Sequence, residues 1–257
     1  DIRPELPDVQ ILAPGFGRTG TSSFAKALVE LKYVDGPQIY NMRTVLNDME
    51  MQVEHWQAVS REHAAGASLT PLFHIMFRGF KVVTDYPACA WWQEIWKAFP
   101  HAKVILTDRD AEAWYSSSMR TTLPFIQFSQ TNDLTPLVQA EQEVLGTRRQ
   151  IWHDLQADAP APAGIKGFGD MMQVAVWDRL FGPGIDPADR RLKAKVLEGY
   201  KQHSTAVRQG AAGATAGFWE WRVGAGGWAP LCQFLSVPDS QCPSVAFPHS
   251  NPKEDFF

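Results

Sequence analysis

The sequence predicts an α/β protein of three layers, with helices on both sides of a central parallel sheet and a helical lid insertion at about residues 121–187. Two observations carry this. Short apolar runs at residues 9–13, 80–85 and 103–107 alternate with longer stretches whose apolar residues recur at helical spacing, a pattern that favours parallel strands joined by helical crossovers. The first run also passes through a glycine-rich turn straight into a helical pattern, Phe24, Ala27, Leu28 and Leu31, giving the local order strand, loop, helix. A chain of 257 residues with 45% hydrophobic residues, ten Trp and fifteen Phe can bury a substantial core, and it reads as one domain over residues 1–257.

The remaining elements follow in order. Residues 33–40 contain Gly36 and Pro37 and predict a connection with a short strand at 38–40. Residues 42–62 predict a helix with Met42, Leu46, Met49, Val53 and Trp56 on one core-facing stripe. The run at 80–85 leads into a helix with Trp92, Ile95, Trp96 and Phe99 on its apolar face; the run at 103–107 passes through Asp108-Arg109-Asp110 into a helix containing Trp114 and Met119. From 121 to 187, helical runs at 123–128, 137–155 and 168–181 are separated by Pro and Gly, including the Ala/Pro-rich 158–164. They read as a lid and acceptor pocket, or as a small core of their own. Residues 189–209 predict a long helix and 218–223 the last strand, with Arg222 and residues 224–227 at its end.

The glycine-rich turn carries the first chemical signal. In Gly15-Phe16-Gly17-Arg18-Thr19-Gly20, backbone N–H groups can converge on an anion, the helix N-terminus adds partial positive charge, and Arg18 can close over bound oxyanions. The spacing from Gly15 to Gly20 matches the first half of a Walker A loop, so the fold predicted is a P-loop fold. Thr21-Ser22 stands where Lys-Ser/Thr would follow. A loop that cleaves ATP uses that Lys and a hydroxyl on magnesium; this one points to a phosphate donor handled otherwise. A glycine-rich turn with an exposed Arg is the plain alternative. Ligands of open parallel sheets bind beyond the carboxyl ends of the strands, which places the loop, Asp85 and Arg109 at one crevice.

Composition bounds the partners. A net charge of −4, a pI near 6.0 and the lack of any Lys/Arg run argue against nucleic acid. Three cysteines, Cys89, Cys232 and Cys242, are odd in number and lack metal-ligand spacing, which predicts a reducing, cytoplasmic setting without a disulfide framework. No apolar run approaches the roughly 18 residues of a membrane span. No secretory signal opens the chain, and a start at Asp1 leaves a removed leader open.

Several segments together resemble the sulfotransferase superfamily, in the branch whose loop reads P-R-T-G-T. They are Gly17-Arg18-Thr19-Gly20-Thr21-Ser22, Thr84-Asp85-Tyr86-Pro87, and Val104-Ile105-Leu106-Thr107-Asp108-Arg109 with Trp114 and Ser117 behind it. Residues 227–235 resemble that branch's G-W-x-P-L-C-x-F-L segment, and Phe247-Pro248 with Asn251 its F-P-x-x-N ending. The resemblance implies the donor 3'-phosphoadenosine 5'-phosphosulfate (PAPS), released as 3'-phosphoadenosine 5'-phosphate (PAP), without a metal, and transfer to a hydroxyl or amine of a small acceptor. It also implies that Gly17, Arg18, Thr19, Gly20, Thr21, Ser22 and Ser23 hold the 5'-phosphosulfate and that Arg109 and Ser117 hold the 3'-phosphate, with Ser116 and Ser118 as neighbouring hydroxyls. Arg18 stands where many members have Lys; a guanidinium keeps its proton, so its implied role is charge stabilisation of the leaving group.

Asp85 takes the place of the general base in this resemblance, and burial near Trp91 and Trp92 would raise its pKa. The plainer readings are an Asp85 that caps the helix after Tyr86-Pro87 and an Arg109 paired with Asp108 or Asp110. His55, His74 and His203 are rival bases. The branch's Tyr-His-Met is replaced by Tyr40-Asn41-Met42. Two other functions stay open: a Mg-ATP-dependent small-molecule kinase using Asp108 or Asp110 for the metal, and a non-enzymatic nucleotide-binding protein.

Overall fold

The computed structural model describes residues 8–131, 133, 135, 136, 138, 139, 165–225 and 227–249. Five parallel strands form one sheet in the order β2-β3-β1-β4-β5, with β1 at Ile11–Ala13, β2 at Ile39–Tyr40, β3 at Val82–Thr84, β4 at Lys103–Asp108 and β5 at Phe218–Arg222. Ile11 pairs with Val82 on one side and Lys103 on the other. Every residue of β1 is buried, as both faces of a central parallel strand must be. From β1 the chain runs to β2 and β3 on one side and then crosses to β4 on the other, so the order reverses at β1, where open sheets form their ligand crevice.

The helices are α1 (Thr21–Glu30), α2 (Met42–Asn47), α3 (Met49–Ala64), α4 (Thr70–Met76), α5 (Trp92–Ala98), α6 (Ala111–Ser118), α7 (Thr122–Thr131), α8 (Ile165–Met172), α9 (Lys193–Ala211) and α10 (Trp228–Leu235). The result is the α/β architecture, a parallel sheet flanked by helices, that the strand-helix alternation predicts. Because side chains alternate across a strand, Ile11, Ala13, Val82, Ile105 and Trp221 share a core with Phe24, Ala27 and Leu28 of α1 and Leu231, Cys232 and Leu235 of α10. That packing anchors the helix on which the glycine-rich loop ends.

The chain divides into two compact units. The first contains the whole sheet, in the described residues up to Thr44, in Glu62–Arg109, and from Ser204 onward; the second takes Val45–Arg61 and the described part of Asp110–His203. The second unit is helical. It extends beyond the predicted insertion, and the runs expected at 137–155 and 158–164, like Asn251, lie largely or wholly outside the described residues. Within it, Met119, Gln127, Asp186 and Arg190 help to line an open cleft of about 450 Å³.

Three local expectations change. The helix expected at 42–62 is interrupted at Asp48, which shifts its phase: Val45, Gln52, Trp56 and Val59 are buried while Leu46 is 41% exposed. The run at 168–181 belongs to one helical path from α8 through a π-helical Gln173–Trp177 to Asp178–Phe181. The absence of a disulfide is also corrected, because Cys232 and Cys242 are bonded, with Cα atoms 5.9 Å apart. After α10 the chain turns back at Ser236, whose φ is 58°, with Val237 N–H donating to the Cys232 carbonyl at 2.8 Å. This reversal brings Cys242 beside Cys232, and an odd cysteine count does not reveal it. Cys89 remains a buried thiol. Among the described residues no helix is long and apolar enough to cross a membrane.

Candidate active site

The adjacent strands β3, β1 and β4 deliver three segments to their carboxyl ends: Asp85 after β3, the loop from Pro14 to Gly20 after β1, and Arg109 after β4. Gly20 is the N-cap of α1, and its φ of 90° is a conformation glycine reaches without strain. A Cβ there would also lie 2.6 Å from the Trp221 ring. The first helical bond runs from Phe24 N–H to the Gly20 carbonyl at 2.9 Å, so the N–H groups of Thr21, Ser22 and Ser23 belong to the positive end of the helix. Gly17 passes close under the carboxylate: a Cβ would come within 2.8 Å of Asp85 Oδ1.

Thr19 makes its hydroxyl contacts within the protein. It is fully buried; its hydroxyl donates to the Phe16 carbonyl at 2.6 Å, and its N–H donates to the same oxygen at 3.2 Å. Thr107 Oγ1, at the end of β4, lies 2.8 Å from the Thr19 hydroxyl and is then the donor of that bond. With both of its protons committed internally, Thr19 braces the loop against β4. The Thr21 hydroxyl donates to Asp85 Oδ2 at 3.3 Å, linking the first turn of α1 to the carboxylate.

Asp85 and Arg18 both adopt positive φ, 68° and 71°. For residues with a Cβ this costs on the order of 1 to 3 kcal/mol each and tends to concentrate at functional sites. Asp85 Oδ1 accepts from Tyr86 N–H at 2.8 Å. The residue keeps some accessible surface, but protein surrounds its carboxyl, and burial pushes the pKa up to about 6 against the pull of the Tyr86 and Thr21 hydrogen bonds and the Arg18 charge. The short helical turn Ala88–Trp91 that follows has Pro87 as its N-cap and no side-chain cap, so the Asp85 carboxylate serves the loop side, not that turn.

Burial lowers the pKa of Arg18; Asp85 opposes this and the nearby Arg109 charge adds to it. Arg109 Nη1 donates to the Arg18 carbonyl at 3.2 Å. The Arg18 guanidinium thus feels both the Asp85 carboxylate and the Arg109 charge beside the N-terminus of α1, a setting that suits a bound anion.

Asp108 and Asp110, the carboxylates on either side of Arg109, each have partners of their own. Asp108, 4% exposed, accepts from Arg208 at 2.7 Å, Ser204 at 3.2 Å and Arg222 at 3.4 Å. Asp110 caps α6 through Ala113 N–H at 2.9 Å. Ser117 lies on α6 in the second unit, 1% exposed, with its carbonyl accepting from the Thr121 hydroxyl. Of the rival bases, His74 is exposed and packs on Phe99 at 4.6 Å, and His55 and His203 belong to the second unit. Asn41 caps α2, accepting from Arg43 N–H at 2.9 Å. Thr107 and Trp221 are site-supporting residues that sequence reasoning missed; the signal was their place at the carboxyl ends of β4 and β5.

Residues 10–256 match the family described as "Sulfotransferase domain". A curated relative, "Ava biosynthesis cluster protein M" of Aspergillus versicolor, is 29% identical over 248 residues, covering 94% of this chain and 80% of the relative. With the match running from β1 past α10, the chain belongs to the sulfotransferase domain family.

Proposed function

We propose that this protein is a PAPS-dependent sulfotransferase acting on a hydroxyl or amine of a small-molecule acceptor. The observation that carries this reading is that Asp85, through Thr21, and Arg109, through the Arg18 carbonyl, are both tied to the glycine-rich loop that carries Arg18 and to its helix, in a chain of the sulfotransferase family. A biosynthesis-cluster relative supports a small-molecule acceptor. The residues fit the donor chemically: backbone N–H groups of Thr21, Ser22 and Ser23 and the Arg18 guanidinium suit a 5'-phosphosulfate, and the Arg109 guanidinium suits a 3'-phosphate, to which the sequence resemblance alone adds the Ser117 hydroxyl. When bound, PAPS supplies an electrophilic sulfuryl group and departs as PAP.

Each side chain then has one task. Asp85, ionised above about pH 6, takes the proton from the acceptor as its oxygen or nitrogen bonds to sulfur. Arg18 keeps its own proton and offsets the charge that grows on the leaving phosphate. Thr21, donating to Asp85 Oδ2, aims the carboxylate, while Thr19 and Thr107 keep the loop in register with β4.

Turnover is the test. The protein is incubated with PAPS and a panel of phenols, alcohols and amines, and the products are followed by mass spectrometry. Sulfated product and PAP formed in equal amounts, in the presence of EDTA, are expected. Consumption of Mg-ATP with phosphorylated product, and none of PAPS, would overturn the reading.

A further inference from the structure

The loop is not supported by β4 alone. Trp221, on β5, lies against the α1 side of the loop: a Cβ on Gly20 would meet its ring, and Phe24 lies 6.4 Å from it, centroid to centroid. Its buried Nε1 has no hydrogen-bond partner among the described residues, so the ring is held by packing. Part of that packing comes from the chain after α10. Phe247 lies 5.5 Å from the Trp221 ring and 4.9 Å from Trp228, and Trp228 Nε1 donates to the Val245 carbonyl at 2.8 Å. The near end of this segment is tied down by the Cys232–Cys242 bond, and Cys232 itself sits in the core shared with α1.

We propose that residues 242–248 form a strap that positions the anion loop: Phe247 holds Trp221 against Gly20, and the Cys232–Cys242 disulfide holds Phe247 in place. The strap touches no reacting atom. Phe247 and Trp221 are positioning residues, acting through the conformation of Gly20 and the first turn of α1. A dithiol reductant exchanging at Cys242, which is less buried than Cys232, leaves two protein thiols and the oxidised reductant, and frees the near end of the strap. Loop order then falls without a change in the residues that do chemistry. That this loop holds the donor rests on the function proposed above; that the strap orders the loop does not.

The experiment therefore has two readouts on the full chain, with the disulfide formed, after dithiol treatment, and in the Cys242→Ser, Phe247→Ala and Phe247→Tyr variants. The first is amide hydrogen exchange at residues 17–24. Exchange about tenfold faster in Phe247→Ala, in Cys242→Ser and after reduction, with Phe247→Tyr close to the parent, is expected from loss of one aromatic packing contact. The second is the Kd for PAP, which should rise about fivefold to tenfold in the same samples while kcat at saturating donor holds. Cys242→Ser should not respond to the dithiol. Faster exchange confined to residues 242–248, with the loop unchanged, would overturn the strap's role. If the parent fails to bind PAP, the donor reading falls, and loop exchange alone decides the inference.

Discussion

Asp85 and Arg18 hold a backbone conformation that side chains rarely adopt, and they lie in the segments that follow adjacent strands, β3 and β1, with their charges near each other. Strain at both is what a site set for chemistry, not maximum stability, would carry. Asp85→Asn keeps the shape, and Asn tolerates positive φ. Turnover should fall by about two to four powers of ten while PAP affinity holds; retained turnover would remove Asp85 from the mechanism. Asp85 in its proposed role as base works ionised, so the rate of the parent should climb through about pH 6 and level off above it, and the variant should lack that limb.

Stability should move in the opposite sense. A carboxyl with its pKa raised from 3.8 to about 6 favours the folded state fully below about pH 4, and this contribution is lost as pH rises through 6. Asp85→Asn should therefore gain on the parent, by up to about 3 kcal/mol at pH 8 at 1.36 kcal/mol per unit, as read from urea unfolding at pH 4 and pH 8. Equal stability differences at the two pH values would contradict the raised pKa. If Arg109 holds the 3'-phosphate as proposed, Arg109→Ala removes a charge-assisted contact, and a weakening of PAP by about 2 kcal/mol, roughly thirtyfold, is expected by calorimetry. The positions of Asp85 and Arg109 beyond their strands were legible in the sequence because each follows an apolar run, and that of Arg18 because it lies in the glycine-rich turn after the first. The direction of the Thr19 side chain is not legible in a loop sequence; it turns toward Thr107, 88 residues away.

At the scale of elements, β4 and β5 are joined beyond their ladder by charge. Arg208 of α9 bonds Asp108 at 2.7 Å and Glu220 at 2.8 Å, and Arg222 adds weaker contacts to both. Removing Arg208 takes the 2.7 Å ion pair from the buried Asp108 carboxylate and leaves the Ser204 hydroxyl at 3.2 Å and the more exposed Arg222 at 3.4 Å among its partners. Arg208→Ala should cost about 3 kcal/mol of unfolding free energy, read as a fall in thermal midpoint of roughly 5 to 10 °C. A loss below about 0.5 kcal/mol would mean that the network behaves as an exposed surface pair. Strands and crossovers were readable from periodicity, since β1, β3 and β4 each hold a short apolar run between helical patterns. The break at Asp48 was not, because Met42, Leu46, Met49, Val53 and Trp56 continue the helical spacing across it. The Cys232–Cys242 bond was hidden for a related reason: it depends on a reversal at Ser236 that has no glycine to announce it.

Across the whole molecule, the sheet unit carries the loop, Asp85 and Arg109, and the helical unit carries Ser117 and an open polar cleft. The order of motifs along the chain was the strongest sequence signal, and the family match over residues 10–256 bears out the coarse assignment to the sulfotransferases. The central claim is that the loop is built for a 3'-phosphorylated nucleotide bearing a 5'-anion. The most direct test is thermal unfolding of the parent with PAP in EDTA beside ATP with magnesium, each at about a hundred times a micromolar Kd. Binding at that excess adds about 2.7 kcal/mol, a rise of roughly 5 to 10 °C for a chain of this size. The account predicts that rise with PAP and little with ATP and magnesium; a rise with ATP and magnesium alone would contradict it.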